Sequence, residues 1–448
     1  MPSSPSTGPL DQLKLASPST RPLVQIMLAC PSTFEPLSRL KSTSPFTIEN
    51  RSSQGLSSGG LPAQTADTST ASRDVQSLQH RFEKTTVARQ RLEKLQLKFA
   101  ATEFNKALRT HNLSPPKPMD NFTINSGVTT YLIDRNKQSV FSEYIRRSGC
   151  QLPEFVRLLR GESVSDSRPN KALHVPTDVS GLEKYRYRSQ WDSIVKNGVI
   201  PAWKSFKSQV TPPPNHGSAR RALNIIIKQL RAGQNSNRYL ILDINLLPAL
   251  HGITCSPFGA VQKCDVDLSI DARIIHDLSF PQGDSVNDNT LADHEVEVCY
   301  DGPDALARRC LKVAKDFPGL QRMMTRDVNG AFRNIPVSSD HVGRFAGTIP
   351  ELGILVIDLC CPFGWKNSPS SYWVAGAAIG HIYENMAPKW SLQPDEGKRN
   401  FDAKIWCDDH IAIEPDIGSR LSEAQIALRT AMTTILGPDA CNNKKFTS

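Results

Sequence analysis

A chain of 448 residues is long enough for two or three domains, and 39% apolar content with 32 prolines fits a packed core joined to a sizeable stretch that has none. The formal charge of +9 favours a polyanionic partner such as nucleic acid. The 10 cysteines stand singly apart from Cys360–Cys361, without zinc-site spacing, so neither a disulfide framework nor a structural zinc is supported.

Reduced thiols point to an intracellular protein, with cytoplasm and nucleus not distinguished. No signal peptide opens the chain: the run Leu23–Ala29 is short and follows a Ser/Pro-rich stretch. No stretch approaches the ~20 apolar residues of a membrane span, so no membrane partner is expected. Residues 1–72 are about half Ser, Thr, Pro and Gly, which cannot bury enough apolar surface to offset chain entropy; a disordered tail is predicted.

Residues 73–210 read as a mostly helical region of unknown role. From Asp74 to His111, Leu78, Phe82, Leu92, Leu95 and Phe99 recur at three- and four-residue spacing among many charges, and Pro115–Pro116 stop the run. A solvated amphipathic helix is the plain reading; a short coiled coil or a nucleic-acid-binding helix stays open. Shorter helices are predicted over Val140–Ser148, closed by Gly149, and from Pro153 to Gly161. Residues 211–237 comprise a linker, Thr211–Gly217, and a helix over Ala219–Ala232 with Leu223, Ile226, Ile227 and Leu230 on one face and Gly233 beyond its end. From Arg238 to the C-terminus, short apolar runs separated by turn residues predict an α+β domain.

That domain holds the informative chemistry. Met323–Val328 reads as a short strand carrying Asp327 at its end, and Lys404–Ile413 reads as a hairpin with Asp408 and Asp409 at its tip. An adjacent Asp pair is ordinarily an exposed acidic turn. A third Asp at a strand end changes the reading, because converging carboxylates repel one another and call for a cation. Hard, oxygen-seeking Mg²⁺ suits them, and two such ions about 4 Å apart serve phosphoryl transfer.

Six segments then follow one family's order. Ser256–Lys263 is similar to an SPLGxVxK strand. Arg273-Ile-Ile-His-Asp-Leu-Ser279 with Ser285-Val-Asn287 resembles a fingers motif. Asp327-Val-Asn-Gly-Ala-Phe-Arg-Asn-Ile-Pro-Val337 resembles a first palm motif. Pro362–Pro369 resembles PFGxxxSP, Trp406-Cys-Asp-Asp409 stands where the family has [YFW]xDD, and Asn442–Phe446 looks like a lysine-bearing motif. On these residues the chain resembles the reverse transcriptases of long-terminal-repeat-like retrotransposons, of Gypsy or DIRS type, from about Arg238 onward.

The resemblance implies a right-hand polymerase with fingers and palm in residues 238–448, an antiparallel sheet with packed helices. Its activity would be RNA-directed DNA synthesis on an RNA or DNA template–primer from deoxynucleoside triphosphates. Two Mg²⁺ ions, replaceable by Mn²⁺, would be held by Asp327, Asp408, Asp409 and the Val328 carbonyl. Lys263 and Arg273 would grip the triphosphate, and Phe332 would be the steric gate against a 2′-hydroxyl. Phe363 and Gly364 would line the nucleotide, and Lys444 and Lys445 would meet phosphate or donate a proton. Phe363 and Trp365 fit either nucleic-acid contact or core packing. Cys407 and His410 depart from the family's usual residues. The thumb and ribonuclease H are expected to be absent from this chain, which leaves a second reading: a truncated or domesticated polymerase-like protein that binds nucleic acid without catalysis. A viral RNA polymerase is disfavoured, because Phe332 stands where that class has a second Asp.

Overall fold

The computed structural model describes residues 68–443 apart from 178, 180, 205–208, 210, 264 and 387–399. The chain opens on α1 (Thr68–Thr110), whose inward side runs through Arg89, Glu93, Gln96, Ala100, Phe104 and Leu108, spaced by three and four residues. A short hairpin, β1 (Phe122–Asn125) and β2 (Val128–Tyr131), follows. Next is α2 (Arg135–Ser148), started by the Asp134 side chain accepting from the Lys137 N–H and stopped by Gly149 in the left-handed region. In α3 (Leu152–Arg160), Pro153 lies in the first turn and Gly161 closes the end. Phe104 of α1 packs edge-on to Phe141 of α2 and Phe155 of α3, with ring centroids 5.4 and 6.0 Å apart. Both helices end at the glycines the sequence marks, but α2 starts five residues before the expected Val140, because Asp134 caps it.

α1 departs from its sequence pattern. Leu92, Leu95 and Phe99 are 44%, 54% and 71% exposed, so the strip they form is not the packed one. The inward side is instead polar at its centre, where the Arg89 guanidinium donates to the Thr433 carbonyl and Gln90 Nε2 donates to Asp439 Oδ1 at 3.3 Å.

α4 (Arg188–Asn197) precedes a helix that the sequence placed over Ala219–Ala232. It is two: α5 (Gly217–Arg221) and α6 (Leu223–Asn235), parted at buried Ala222, which leaves helical geometry at φ −96°, ψ 15°. Gly233 lies inside α6 and not beyond it. The reason is a close approach: a Cβ there would stand 2.1 Å from the ring of Tyr239.

β3 (Tyr239–Asp243), β4 (Phe258–Gln262) and β5 (Ala272–His276) come next, then the single turn α7 (Val286–Asn289), α8 (Pro303–Asp316) and β6 (Gln321–Asp327). A hairpin of β7 (Ala346–Ile349) and β8 (Ile354–Asp358) turns through Pro350–Gly353. The chain finishes with α9 (Ser368–Asn385), β9 (Ala403–Trp406), β10 (Asp409–Pro415) and α10 (Arg420–Leu436).

All sheets are small and antiparallel: β3-β8-β7, β6-β10-β9, the β4-β5 ribbon and the β1-β2 hairpin. Every residue of β8 is buried, and Val356 joins Ile226 and Leu230 of α6, Ile241 and Phe258 in one core. Ile411 and Ile413 of β10 pack on Val313 of α8. The fold is α+β, with packed helices covering small antiparallel sheets, and the described residues belong to one compact unit. Among the described residues no helix is long and apolar enough to cross a membrane.

Candidate active site

Strand register brings the acidic residues together. Asp327 ends β6, Asp409 begins β10, and the two are direct partners in the antiparallel ladder. Asp409 also faces Trp406 across the β9–β10 hairpin, which leaves Cys407 and Asp408 as its two-residue tip. Cys407 takes φ 54°, a left-handed conformation that costs a non-glycine residue about 1 kcal/mol. Directly opposed side chains in such a ladder lie about 5 Å apart at Cβ, so Asp327 and Asp409 meet at one end of the β6-β10-β9 sheet, with Asp408 at the adjoining tip.

Backbone contacts hold that end shut. The Val328 N–H donates to the Asp408 carbonyl at 3.2 Å, Val328 bridges Cys441, and the Asn329 N–H donates to the Ala440 carbonyl at 2.7 Å. Asn442 reaches Asp327 twice: its N–H donates to the Asp327 carbonyl at 3.2 Å and its Nδ2 to Asp327 Oδ2 at 2.6 Å. Asp327 is consequently 5% exposed, while Asp408 and Asp409 are half-buried. Among the described residues, no group of three or more His, Cys, Asp or Glu side chains is arranged to hold a metal ion.

Neutral groups lie close by. His410 is buried with no hydrogen-bond partner on either ring nitrogen, and burial pushes its pKa down to about 4. Tyr372 of α9 is fully buried with its hydroxyl unpartnered; burial first, then the nearby Asp408, Cys407 and Asp327, push its pKa well up. Both therefore stay uncharged at neutral pH.

Phe332 follows Asp327 by one turn of chain. Its ring lies 5.1 Å from that of Phe363 and 5.4 Å from that of Tyr372. Phe332 is only 3% exposed and Phe363 is 58% exposed, so the aromatic face offered to solvent belongs to Phe363. Gly364 takes φ 96°, and a Cβ there would meet the His276 carbonyl of β5 at 3.0 Å. Trp365 is wholly buried, its Nε1 donating to Thr290 Oγ1 at 3.0 Å, which decides the core reading for that ring. Asn287 holds the loop: its Nδ2 donates to the Gly364 carbonyl at 2.8 Å and to Ser279 Oγ at 2.9 Å, and its Oδ1 accepts from the Lys366 N–H at 2.9 Å.

Lys263 and Arg273 lie towards the far end of the β4–β5 ribbon. Arg273 pairs with Val261, two residues before Lys263, so both cations fall on one face of the ribbon by the alternation of strands. Lys263 Nζ sits 3.1 Å from Asp271 Oδ2, and both side chains are nearly half exposed. Three residues of β5 separate Arg273 from His276, about 10 Å of strand, so the ribbon joins the Gly364 loop at its base and carries its cations outward. Lys444 and Lys445 lie outside the described residues.

No family model and no curated protein matches this chain. The chemistry of the site therefore rests on its own atoms. Carboxylate oxygens on paired strands are hard donors; Tyr372, near Asp408 and Asp327, carries the Phe332–Phe363 pair at its edge; two cations stand on the β4–β5 ribbon. A separate cleft of about 840 Å³, lined in part by Arg309, Phe401 and Arg420, includes none of the three Asp. Sequence reasoning gave no role to Asn442, Asn287 or Tyr372. Asn287 and Asn442 stood inside quoted motifs, yet an amide's partner is set by tertiary approach, which no local pattern encodes.

Proposed function

We propose that this chain is an RNA-directed DNA polymerase of a Gypsy- or DIRS-type retrotransposon, extending a primer 3′ end on an RNA or DNA template with deoxynucleoside triphosphates. The observation that carries the reading is the register of Asp409 on Asp327 with Asp408 at the adjoining tip. Residues far apart in sequence meet there, each inside a segment that resembles the corresponding polymerase motif.

On this reading β6-β10-β9 with α9 and α10 is the palm, and the β4–β5 ribbon belongs to the fingers. Asp327, Asp408 and Asp409, with the Val328 carbonyl, are the oxygen donors for Mg²⁺. Mg²⁺ takes one or two carboxylates and completes its shell from water and substrate phosphates. When bound, a Mg²⁺ pair supplies activation of the primer hydroxyl and relief of charge on the departing pyrophosphate. Lys263 and Arg273 offset triphosphate charge. Phe363, backed by Phe332, closes the space a 2′-hydroxyl needs, and Gly364 keeps the loop backbone close to the β5 end.

The test is primer extension on an RNA template with deoxynucleotides and Mg²⁺, comparing wild type with Asp408→Asn. Extension by wild type and a loss of at least about a hundredfold in the variant are expected, since a lost charge-stabilising group costs that order in rate. Equal signal from both proteins would sink the catalytic reading. The lack of a ready three-residue metal cage favours one alternative, a polymerase-like chain that binds nucleic acid without catalysis; it predicts duplex binding by both proteins and extension by neither.

A further inference from the structure

We propose that the solvent face of α1 is a docking surface for the phosphate backbone of a nucleic acid. The inference goes beyond the carboxylate site and shares with the polymerase reading only the class of ligand.

Charge is the first ground. α1 carries nine Lys and Arg against four Asp and Glu, a net +5 within a chain of formal charge +9. Orientation is the second. Arg89 turns inward to the Thr433 carbonyl, whereas Arg81, Lys84, Arg91, Lys94 and Lys98 are exposed. Lys84, Arg91 and Lys98 recur every seven residues, two helical turns, and so form one row along the helix. Glu93 lies on the packed side, beside Arg89. Next to the row, Leu92, Leu95 and Phe99 are 44%, 54% and 71% exposed, an apolar strip that can lie against sugar or base faces.

Place is the third ground. Arg89 and Gln90, level with the middle of the row but on the packed side of the helix, touch Thr433 and Asp439. The residues directly after Asp439 are those that bond the Asp327 loop: Ala440 to Asn329, Cys441 to Val328 and Asn442 to Asp327. The helix that carries the row is thus anchored on the segment that bonds the Asp327 loop, with the row on its outward, solvent side.

A second copy of the chain is the competing occupant, because Ala88, Leu92, Leu95 and Phe99 have the spacing of a short coiled-coil seam. Antiparallel self-pairing would set Lys84, Arg91 and Lys98 of one copy beside the same cations of the other, which charge disfavours. A phosphate backbone is complementary to them instead.

The experiment uses the full chain and a fluorescently labelled primer–template duplex, with anisotropy titrations over a KCl series. Arg91→Glu/Lys94→Glu/Lys98→Glu is expected to weaken binding at least about tenfold, and the Gln triple variant is expected to reduce the salt slope by about 2 to 3, since each phosphate contact contributes about 0.9. The side chains are solvent-facing, so thermal melts should match wild type; if the Glu variant melts early, the Gln variant decides. Unchanged affinity and slope overturn the proposal. So does unchanged duplex affinity accompanied by loss of a dimer in light scattering, or by loss of binding to anionic phospholipid vesicles. Asp408→Asn should bind the duplex as wild type does. A wild-type chain that binds through this face yet never extends a primer sinks the polymerase reading and leaves this one standing.

Discussion

Asn442 shows how the site depends on single side chains. Its Nδ2 is 2.6 Å from Asp327 Oδ2, on a carboxylate that is 5% exposed. Hydrogen bonds to charged groups contribute about 1.5–3 kcal/mol, and a buried acceptor left alone costs a similar amount. Asn442→Ala should therefore lower unfolding stability by about 2 kcal/mol, read as a shifted urea midpoint at constant slope; an unshifted midpoint would show that the bond carries nothing. At this scale the acids were legible and their partners were not. Asp327, Asp408 and Asp409 interrupt or end apolar runs, which any reader of the sequence can see. Asn442 and Asn287 are ordinary loop amides until the fold brings a carboxylate or a carbonyl to them. That Phe332 is covered while Phe363 faces solvent was hidden for the same reason, since it depends on where Tyr372 of α9 stands.

Elements were legible where their ends are chemical. Gly149 and Gly161 stop α2 and α3 at the positions their sequence marks. The parting of α5 from α6 at Ala222 carries no such mark, and the side of α1 that packs is fixed by Phe104 and Leu108 together with the Thr433 and Asp439 contacts, not by Leu92, Leu95 and Phe99. The contact of α1 with the loop before α4 also sets a pH dependence. His174 Nδ1 lies 2.9 Å from Arg168 Nη1, and its pKa falls from 6.5 to about 4, through burial first and then the charges of Arg168 and Arg89. The folded form holds it neutral while the unfolded chain protonates it, so its stabilising contribution is full above 6.5 and is lost as pH falls toward 4. His174→Gln should lose less stability than wild type between about pH 7 and about pH 5 in urea melts. An identical loss in both proteins would remove His174 from the acid response.

Across the whole molecule, a buried ion pair ties the segment after β6 to the β3-β8-β7 sheet. Arg333, six residues past Asp327, donates through Nη1 to Asp358 Oδ2 of β8 at 2.6 Å and lies 4.6 Å over the ring of Tyr239 of β3. Burial alone would lower the Arg333 pKa, and Asp358 more than reverses it. Breaking a buried pair strands a charge, so Asp358→Ala should cost about 3–5 kcal/mol, measurable as a large loss of denaturant midpoint; a cost below about 1 kcal/mol would mean that the two sheets are not coupled through it. The α+β class was legible from the run lengths, and the register that unites Asp409 with Asp327 was not, because pairing between strands so distant in sequence is decided by packing. The central claim is that this register makes a nucleotidyl-transfer site. Single-nucleotide incorporation on an RNA template, measured for wild type and for Asp327→Asn, Asp408→Asn and Asp409→Asn with duplex affinity followed alongside, tests it most directly. The account predicts Mg²⁺-dependent incorporation by wild type alone with duplex affinity kept in all four proteins, and incorporation that survives any of the three substitutions would contradict it.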